Sequence, residues 1–129
     1  GMKLLLDTHA FLWLVEGSPR MSLVAANAIY NPANDVTLSV ASVWELAIKL
    51  GNKKLSLADP LEIFVGKWTT AYQIDLLTIQ APHALAIRVL PDHHRDPFDR
   101  MLIVQALSEK MTLVTADSKF ARYGVPILW

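Results

Sequence analysis

Apolar positions fall in short blocks separated by polar or turn-forming residues, and the blocks alternate between two kinds. Lys3-Leu4-Leu5-Leu6 is an unbroken run that stops at Asp7. A run without polar alternation suits a strand buried on both faces, as in a parallel sheet. Thr8 to Glu16 then predicts a helix, with Phe11, Leu12, Leu14 and Val15 as its apolar positions, broken by Gly17-Ser18-Pro19. Ser22 to Tyr30 reads as a second helix capped by Ser22, and Val36 to Val40 as a strand. Ser42 to Leu50 predicts a helix ended by Gly51 and Asn52. Asp59-Pro60-Leu61-Glu62 is a helix start, with an N-cap, a proline in the first turn and an acid behind it. Leu61, Phe64, Val65, Trp68 and Tyr72 then share one helical face. Leu76 to Ile79 predicts a strand and Pro82 to Leu90 a helix. Asp96-Pro97-Phe98-Asp99 repeats the start signature before an apolar helix over Met101 to Leu107. Thr112 to Thr115 reads as a strand, Ser118 to Arg122 as a helical turn and Pro126 to Leu128 as a last strand.

Strands alternating with helices predict an α/β fold with a mostly parallel sheet covered on both faces. In such sheets ligands bind outside the carboxyl ends of the strands. The 129 residues make one domain, here residues 2–129, since Gly1 before Met2 reads as an appended residue. With 53% hydrophobic and 19% charged residues the chain is not intrinsically disordered. No apolar run approaches the roughly 20 residues of a membrane span, and no signal-peptide pattern opens the chain. The absence of cysteine excludes disulfides, thiolate metal sites and cysteine nucleophiles, and fits a cytoplasmic protein. Twelve Lys+Arg balance twelve Asp+Glu, which argues against a general nucleic-acid coat. That balance changes locally if several acids gather in one site, because the remaining surface is then net positive.

The residues behind the strands supply the candidates. Asp7 directly follows the first strand and Asp117 follows Leu113-Val114-Thr115 by one residue, so both face the same sheet edge. Helix capping accounts for either of them equally well. Glu45 sits at capping-box spacing from Ser42 and four residues before Lys49, which favours a structural role on local grounds. Asp96, ahead of Pro97, is an N-cap; Asp99 lies where an acid complements the helix dipole. Each acid is locally explicable, and convergence is what would make them a site. Clustered carboxylates repel one another, and a hard cation such as Mg²⁺ or Mn²⁺ relieves the repulsion. Such ions activate water and stabilise in-line displacement at phosphorus. Other chemistries lack their residues: there is no HExxH, GxSxG, P-loop or GxGxxG. His93 and His94 are expected in a solvent-exposed loop, and Trp13, Trp44 and Trp68 in the core or an interface. Lys49, Lys53 and Lys54 form either a basic patch beside Glu45 or a solvated helix end.

Four stretches in order, Leu4-Leu5-Leu6-Asp7-Thr8-His9-Ala10-Phe11-Leu12-Trp13, Ser42-Val43-Trp44-Glu45, His93-His94-Arg95-Asp96-Pro97-Phe98-Asp99-Arg100-Met101-Leu102-Ile103 and Leu113-Val114-Thr115-Ala116-Asp117, carry a resemblance. The chain resembles the PIN-domain nucleases, and among them the VapC toxins of bacterial type II toxin–antitoxin modules. The resemblance implies a four- or five-stranded parallel sheet between helices and a Mg²⁺- or Mn²⁺-dependent ribonuclease site. Its four acids fall on Asp7, Glu45, Asp99 and Asp117, with Thr115 and Thr8 in support and Asp96 as a cap. Lys49, Lys53, Arg95 and Arg100 are the candidate RNA contacts. A cognate antitoxin and a homodimer are also implied. Two rivals remain. A signalling receiver domain would want paired acids after the first strand and another acid after the third, and neither is present. A PIN-fold RNA-binding module without turnover would keep the same residues.

Overall fold

A computed structural model describes residues 1–129. Its centre is a five-stranded sheet in the order β3-β2-β1-β4-β5, with every neighbouring pair parallel. The strands are β1 (Lys3–Leu6), β2 (Asp35–Ser39), β3 (Ile74–Leu77), β4 (Thr112–Val114) and β5 (Ile127–Leu128). The helices are α1 (Thr8–Glu16), α2 (Leu23–Tyr30), α3 (Val40–Gly51), α4 (Leu61–Ala71), α5 (Ala81–Ala86) and α6 (Pro97–Glu109). Short 3₁₀ segments cover Ile87–Val89 and Ser118–Tyr123.

The apolar run of β1 has the burial its pattern requires. Leu4, Leu5 and Leu6 have no exposed surface. Side chains alternate across a strand, so Leu4 and Leu6 join a core with Phe11, Leu14, Ile29 and Phe64, while Leu5 joins a second with Leu102, Ile103, Leu113 and Phe120. α1, α2 and α4 cover the first face, and α6 with the second 3₁₀ segment covers the other. Truncating one such leucine to alanine costs about 2–5 kcal/mol. Gly17, at φ 63°, ends α1 in the left-handed conformation that side chains disfavour.

The chain builds β1, β2 and β3 outward on one side, then returns to place β4 and β5 on the other. The direction of growth reverses at β1, so the carboxyl ends of β1 and β4 flank the crevice where ligands of such sheets bind.

Several boundaries differ from those read along the chain. β3 begins two residues earlier than expected because Gln73, at φ 54°, turns the chain sharply out of α4 and Ile74 pairs with Val36. It stops at Leu77 because its partner there, Ser39, is the last residue of β2. α3 starts at Val40, with Ser39 as its cap, so the predicted cap Ser42 lies inside the helix. Asp59 does not cap α4; Pro60 occupies that position with no side-chain cap bond. The segment expected as one helix over Pro82 to Leu90 is α5 followed by a 3₁₀ turn. No helix is long and apolar enough to cross a membrane.

Candidate active site

The chain runs from β1 into α1 without a loop, and Asp7 is the joint. Its N–H donates to the Val114 carbonyl at 3.1 Å, tying the ends of β1 and β4 together. Its Oδ1 accepts the Ala10 N–H at 2.7 Å, so it caps α1 as a helix start requires. The side chain is nearly buried. Burial pushes its pKa up, and the Glu45 charge adds to the rise; the Thr115 hydroxyl, the Ala10 N–H and His9 offset part of it.

β2 likewise passes directly into α3, and this brings Glu45 to the same edge. The Thr8 hydroxyl donates to Glu45 Oε1 at 2.6 Å and, with its one proton committed, accepts from Ser42 Oγ at 2.9 Å. Ser42 therefore bridges α3 to α1 instead of closing a capping box. Lys49 Nζ meets Glu45 Oε2 at 2.9 Å, the expected ion pair one helical turn along.

Asp96 and Asp99 divide two tasks. Asp96 Oδ1 accepts the N–H groups of Phe98 at 2.8 Å and Asp99 at 3.1 Å, capping α6. Asp99 is left free to face the other acids. Burial first, then the charges of Asp96, Glu45 and Asp7, raise its pKa to about 7, with His94 opposing. A carboxyl raised this far by burial and by neighbouring carboxylates, on the wall of an open pocket, is a candidate for function.

Asp117 behaves oppositely. Partial burial works to raise its pKa, but a hydrogen bond from His94, the Lys119 N–H and the charges of His94 and Lys119 outweigh it and hold the pKa below the ordinary value. Its Oδ1 accepts the Lys119 N–H at 2.9 Å, capping the second 3₁₀ segment, and its own N–H donates to Thr115 Oγ1 at 3.0 Å. Thr115 is almost wholly buried and so braces both Asp7 and Asp117.

All five acids wall one pocket of about 230 Å³, with Thr8, His9 and Lys49 beside them. A depression of about 260 Å³ beside the residues that open β2 and β3, around Tyr30 and Tyr72, carries no carboxylate. As the side chains stand, no three acids or imidazoles are grouped tightly enough to cage an ion. The donor set nonetheless fits Mg²⁺ or Mn²⁺. Its carboxylates offer hard oxygens, burial and then the neighbouring negative charges hold Asp99 high in pKa, and Mg²⁺ is commonly bound through one or two carboxylates with waters and substrate phosphates.

The candidate cations part company. Lys49 lines the pocket, whereas Lys53 and Lys54 are exposed past the end of α3. Arg95 stands outside the acidic pocket, beside Trp44 and Phe98, whose rings meet edge to face at 4.9 Å. Arg100 does not line the acidic pocket: its guanidinium donates to the carbonyls of Ile87, Leu90, Pro91 and His94 at 3.0–3.4 Å.

The residue missed along the chain is His94. His93 is exposed as expected, but the His94 side chain is only 8% exposed, stacked on Phe120 at 4.7 Å and bonded to Asp117 and Tyr123. Its partners lie 23 and 29 residues away, beyond any local signal.

Comparison with known proteins bears on the family and the fold. The family model of the PIN domain matches residues 4–126. The chain is 26% identical over 125 residues to Ribonuclease VapC22 of Mycobacterium tuberculosis, covering 95% of this chain and 92% of that protein. The fold is similar to that of VapBC2 from Rickettsia felis, solved bound to a DNA fragment from its promoter. The TM-score is 0.71 at 17% identity, covering 98% of this chain and 97% of that one. VapBC-1 from nontypeable Haemophilus influenzae gives a TM-score of 0.68 at 16% identity, over 98% and 96% of the two chains. Sequence pattern, sheet order and family model agree along nearly the whole length, and the chain belongs to the PIN domain family.

Proposed function

We propose that this protein is a Mg²⁺- or Mn²⁺-dependent endoribonuclease, the toxin of a VapBC-type toxin–antitoxin pair. The observation that carries the reading is the gathering of Asp7, Glu45, Asp99 and Asp117, from four separate segments, into one pocket at the carboxyl end of the sheet. The relative named ribonuclease and the VapBC complexes of similar fold support the same reading.

In this reading Asp7, Glu45 and Asp99 hold the ion, and Asp117 reaches it directly or through water. A divalent ion bound there supplies activation of water and neutralisation of charge at the phosphate. The protein's own part is positional. Thr8 and Lys49 each fix one oxygen of Glu45, Ala10 N–H fixes Asp7, and Asp96 relieves Asp99 of the capping task. Lys49 is the one lysine or arginine on the pocket wall, placed to meet a substrate phosphate. Hydrolysis by water leaves a 5′-phosphate and a 3′-hydroxyl, with no part for the ribose 2′-hydroxyl. We place the protein in the cytoplasm as a homodimer whose cognate antitoxin covers this pocket.

The test is cleavage of single-stranded RNA by the purified protein with Mn²⁺, with chelator, and as the Asp7→Asn variant. Fragments with 5′-phosphate ends, formed by the wild type with Mn²⁺ alone, are expected. RNA retained without cleavage would instead establish a binding module. Full activity in a folded Asp7→Asn protein would remove Asp7 from the machinery.

A further inference from the structure

We propose that Tyr123 and His94 form a directed hydrogen-bond chain that positions the Asp117 carboxylate on the pocket wall. The inference deepens the nuclease reading and rests on it for its catalytic consequence.

The direction of the chain follows from counting protons. Tyr123 Oη accepts the His93 N–H at 3.0 Å and lies 3.0 Å from His94 Nδ1. The Asp117 carboxylate can only accept, so the Nε2 that faces it carries a proton; in the neutral ring Nδ1 is then bare and takes the Tyr123 hydroxyl proton. Nε2 donates to Asp117 Oδ2 at 3.1 Å. The opposite tautomer aims a lone pair at a carboxylate. Of the two neutral tautomers, only the first gives the carboxylate a donor.

The surroundings hold this arrangement still. The His94 ring lies on Phe120 with an interplanar angle of 28°. Arg100 binds the His94 carbonyl together with three carbonyls of the preceding segment, so the loop that carries His94 is clamped to α6. The Asp117 side chain is 40% exposed, and its capping bond to Lys119 N–H occupies only Oδ1. Without His94 its second oxygen is free to swing. With His94, both oxygens are fixed, and the carboxylate keeps one orientation on the pocket wall. His94 and Tyr123 are thus positioning residues. They act as the outer partners that orient metal-binding groups do, whose loss typically costs about 10–100-fold in metal affinity or activity.

The test uses the whole protein and three variants, Tyr123→Phe, His94→Gln and His94→Ala. Nitrogen-15 NMR of the wild type without metal, at pH 8, should show His94 protonated on Nε2 with a bare Nδ1. In Tyr123→Phe the carboxylate should still hold the proton on Nε2, while the Nδ1 resonance shifts because that nitrogen has lost its hydrogen-bond donor. Mn²⁺ affinity should fall about 10–100-fold in His94→Ala. It should fall less in Tyr123→Phe and in His94→Gln, whose amide still reaches Asp117. A loop with a structural role alone would order the variants by melting temperature and leave Mn²⁺ affinity unchanged, and that result overturns the inference, as does an Nδ1-protonated His94. A wild type that shows this tautomer and this order of affinities yet cleaves no RNA would remove the ribonuclease reading and leave the positioning chain standing.

Discussion

Two helices of this protein begin with the same four-residue pattern and do different work. Asp59-Pro60-Leu61-Glu62 opens α4, and Asp96-Pro97-Phe98-Asp99 opens α6. In α6 the aspartate caps through two backbone N–H groups, proline takes the first turn, and Asp99 faces a pocket with four other acids. In α4 the helix starts one residue later in the pattern, Pro60 stands at the cap without a side-chain bond, and Glu62 points to solvent. The difference lies in what each helix start faces. α6 begins at the carboxyl end of the sheet, against the ends of β1 and β4. α4 begins after an exposed loop and buries only Phe64 and Val65 fully. A local pattern therefore sets that a helix starts, and the neighbouring chain sets whether its acid becomes part of a site.

The largest effect expected from this contrast is on activity. Asp99→Asn should lower RNA cleavage by roughly 10²–10³-fold, the scale of removing one preorganised electrostatic group, while Glu62→Gln leaves it unchanged. Initial rates on one RNA substrate check both. Comparable losses in the two variants would mean that the two helix starts are not functionally distinct.

Next in size is the response to metal. An ion that binds only the folded protein stabilises it by about 2.7 kcal/mol at one hundred times its Kd. Mn²⁺ should therefore raise the melting temperature of the wild type and of Glu62→Gln alike, and much less that of Asp99→Asn. Equal shifts in all three at matched ionic strength would reduce the acidic pocket to a screened surface.

A smaller effect concerns pH. Because the folded pKa of Asp99 lies near 7, above the ordinary 3.8, the metal-free folded state takes up a proton before the unfolded state does. The resulting stability is complete below about pH 4 and is lost as pH rises through about 7. Between pH 8 and pH 5 the metal-free protein should gain roughly 1–2 kcal/mol, after allowance for the solvent-open side of the group. The gain should be absent from Asp99→Asn. Asp117 works in the opposite sense and in a lower window: its depressed pKa stabilises the fold above the ordinary carboxylate range and loses that contribution as pH falls below it. Urea titrations at pH 8 and pH 5 read the Asp99 contribution, and a further one at about pH 3 reads that of Asp117.

The smallest effect compares the caps themselves. Asp96→Ala should cost about 1 kcal/mol, the usual value of an N-cap. Asp59→Ala, with no cap bond to lose, should stay within about 0.5 kcal/mol of wild type. Equal costs in thermal melts would restore Asp59 as the cap of α4.

Much of this architecture is legible along the chain, for reasons that operate over a few residues. The leucine run before Asp7 reads as a strand buried on two faces because nothing in it tolerates solvent, and Leu4, Leu5 and Leu6 are indeed sealed from it. The alternation of strand and helix dictates a parallel sheet and points to its carboxyl edge, which is where Asp7, Glu45, Asp99 and Asp117 lie. Local capping logic also survives at Asp7, Asp96 and Asp117, each of which caps and lines the pocket at once. Capping and site chemistry are not rivals, since both want an acid at a helix start on the open edge of the sheet.

Other features required the folded chain. The ends of β3 depend on where β2 stops, because an edge strand has hydrogen-bonding partners only as far as its neighbour extends. Ser42 looks like a cap in sequence, but Ser39, at the end of β2, takes that role and frees Ser42 to meet Thr8. Arg100 looks like a surface cation, yet four carbonyls of the preceding turn claim it. His94 gains its meaning from Asp117 and Tyr123, which reach it only when the end of β4 closes over the loop before α6. By itself the sequence determined the order of elements, the buried strands and the acids at the sheet edge, because burial and capping are local physics. Which acid faces others, which cation lines the pocket and which histidine is held fast were decided by the tertiary structure, because charge repulsion and hydrogen-bond direction depend on distances between segments that the chain order does not contain.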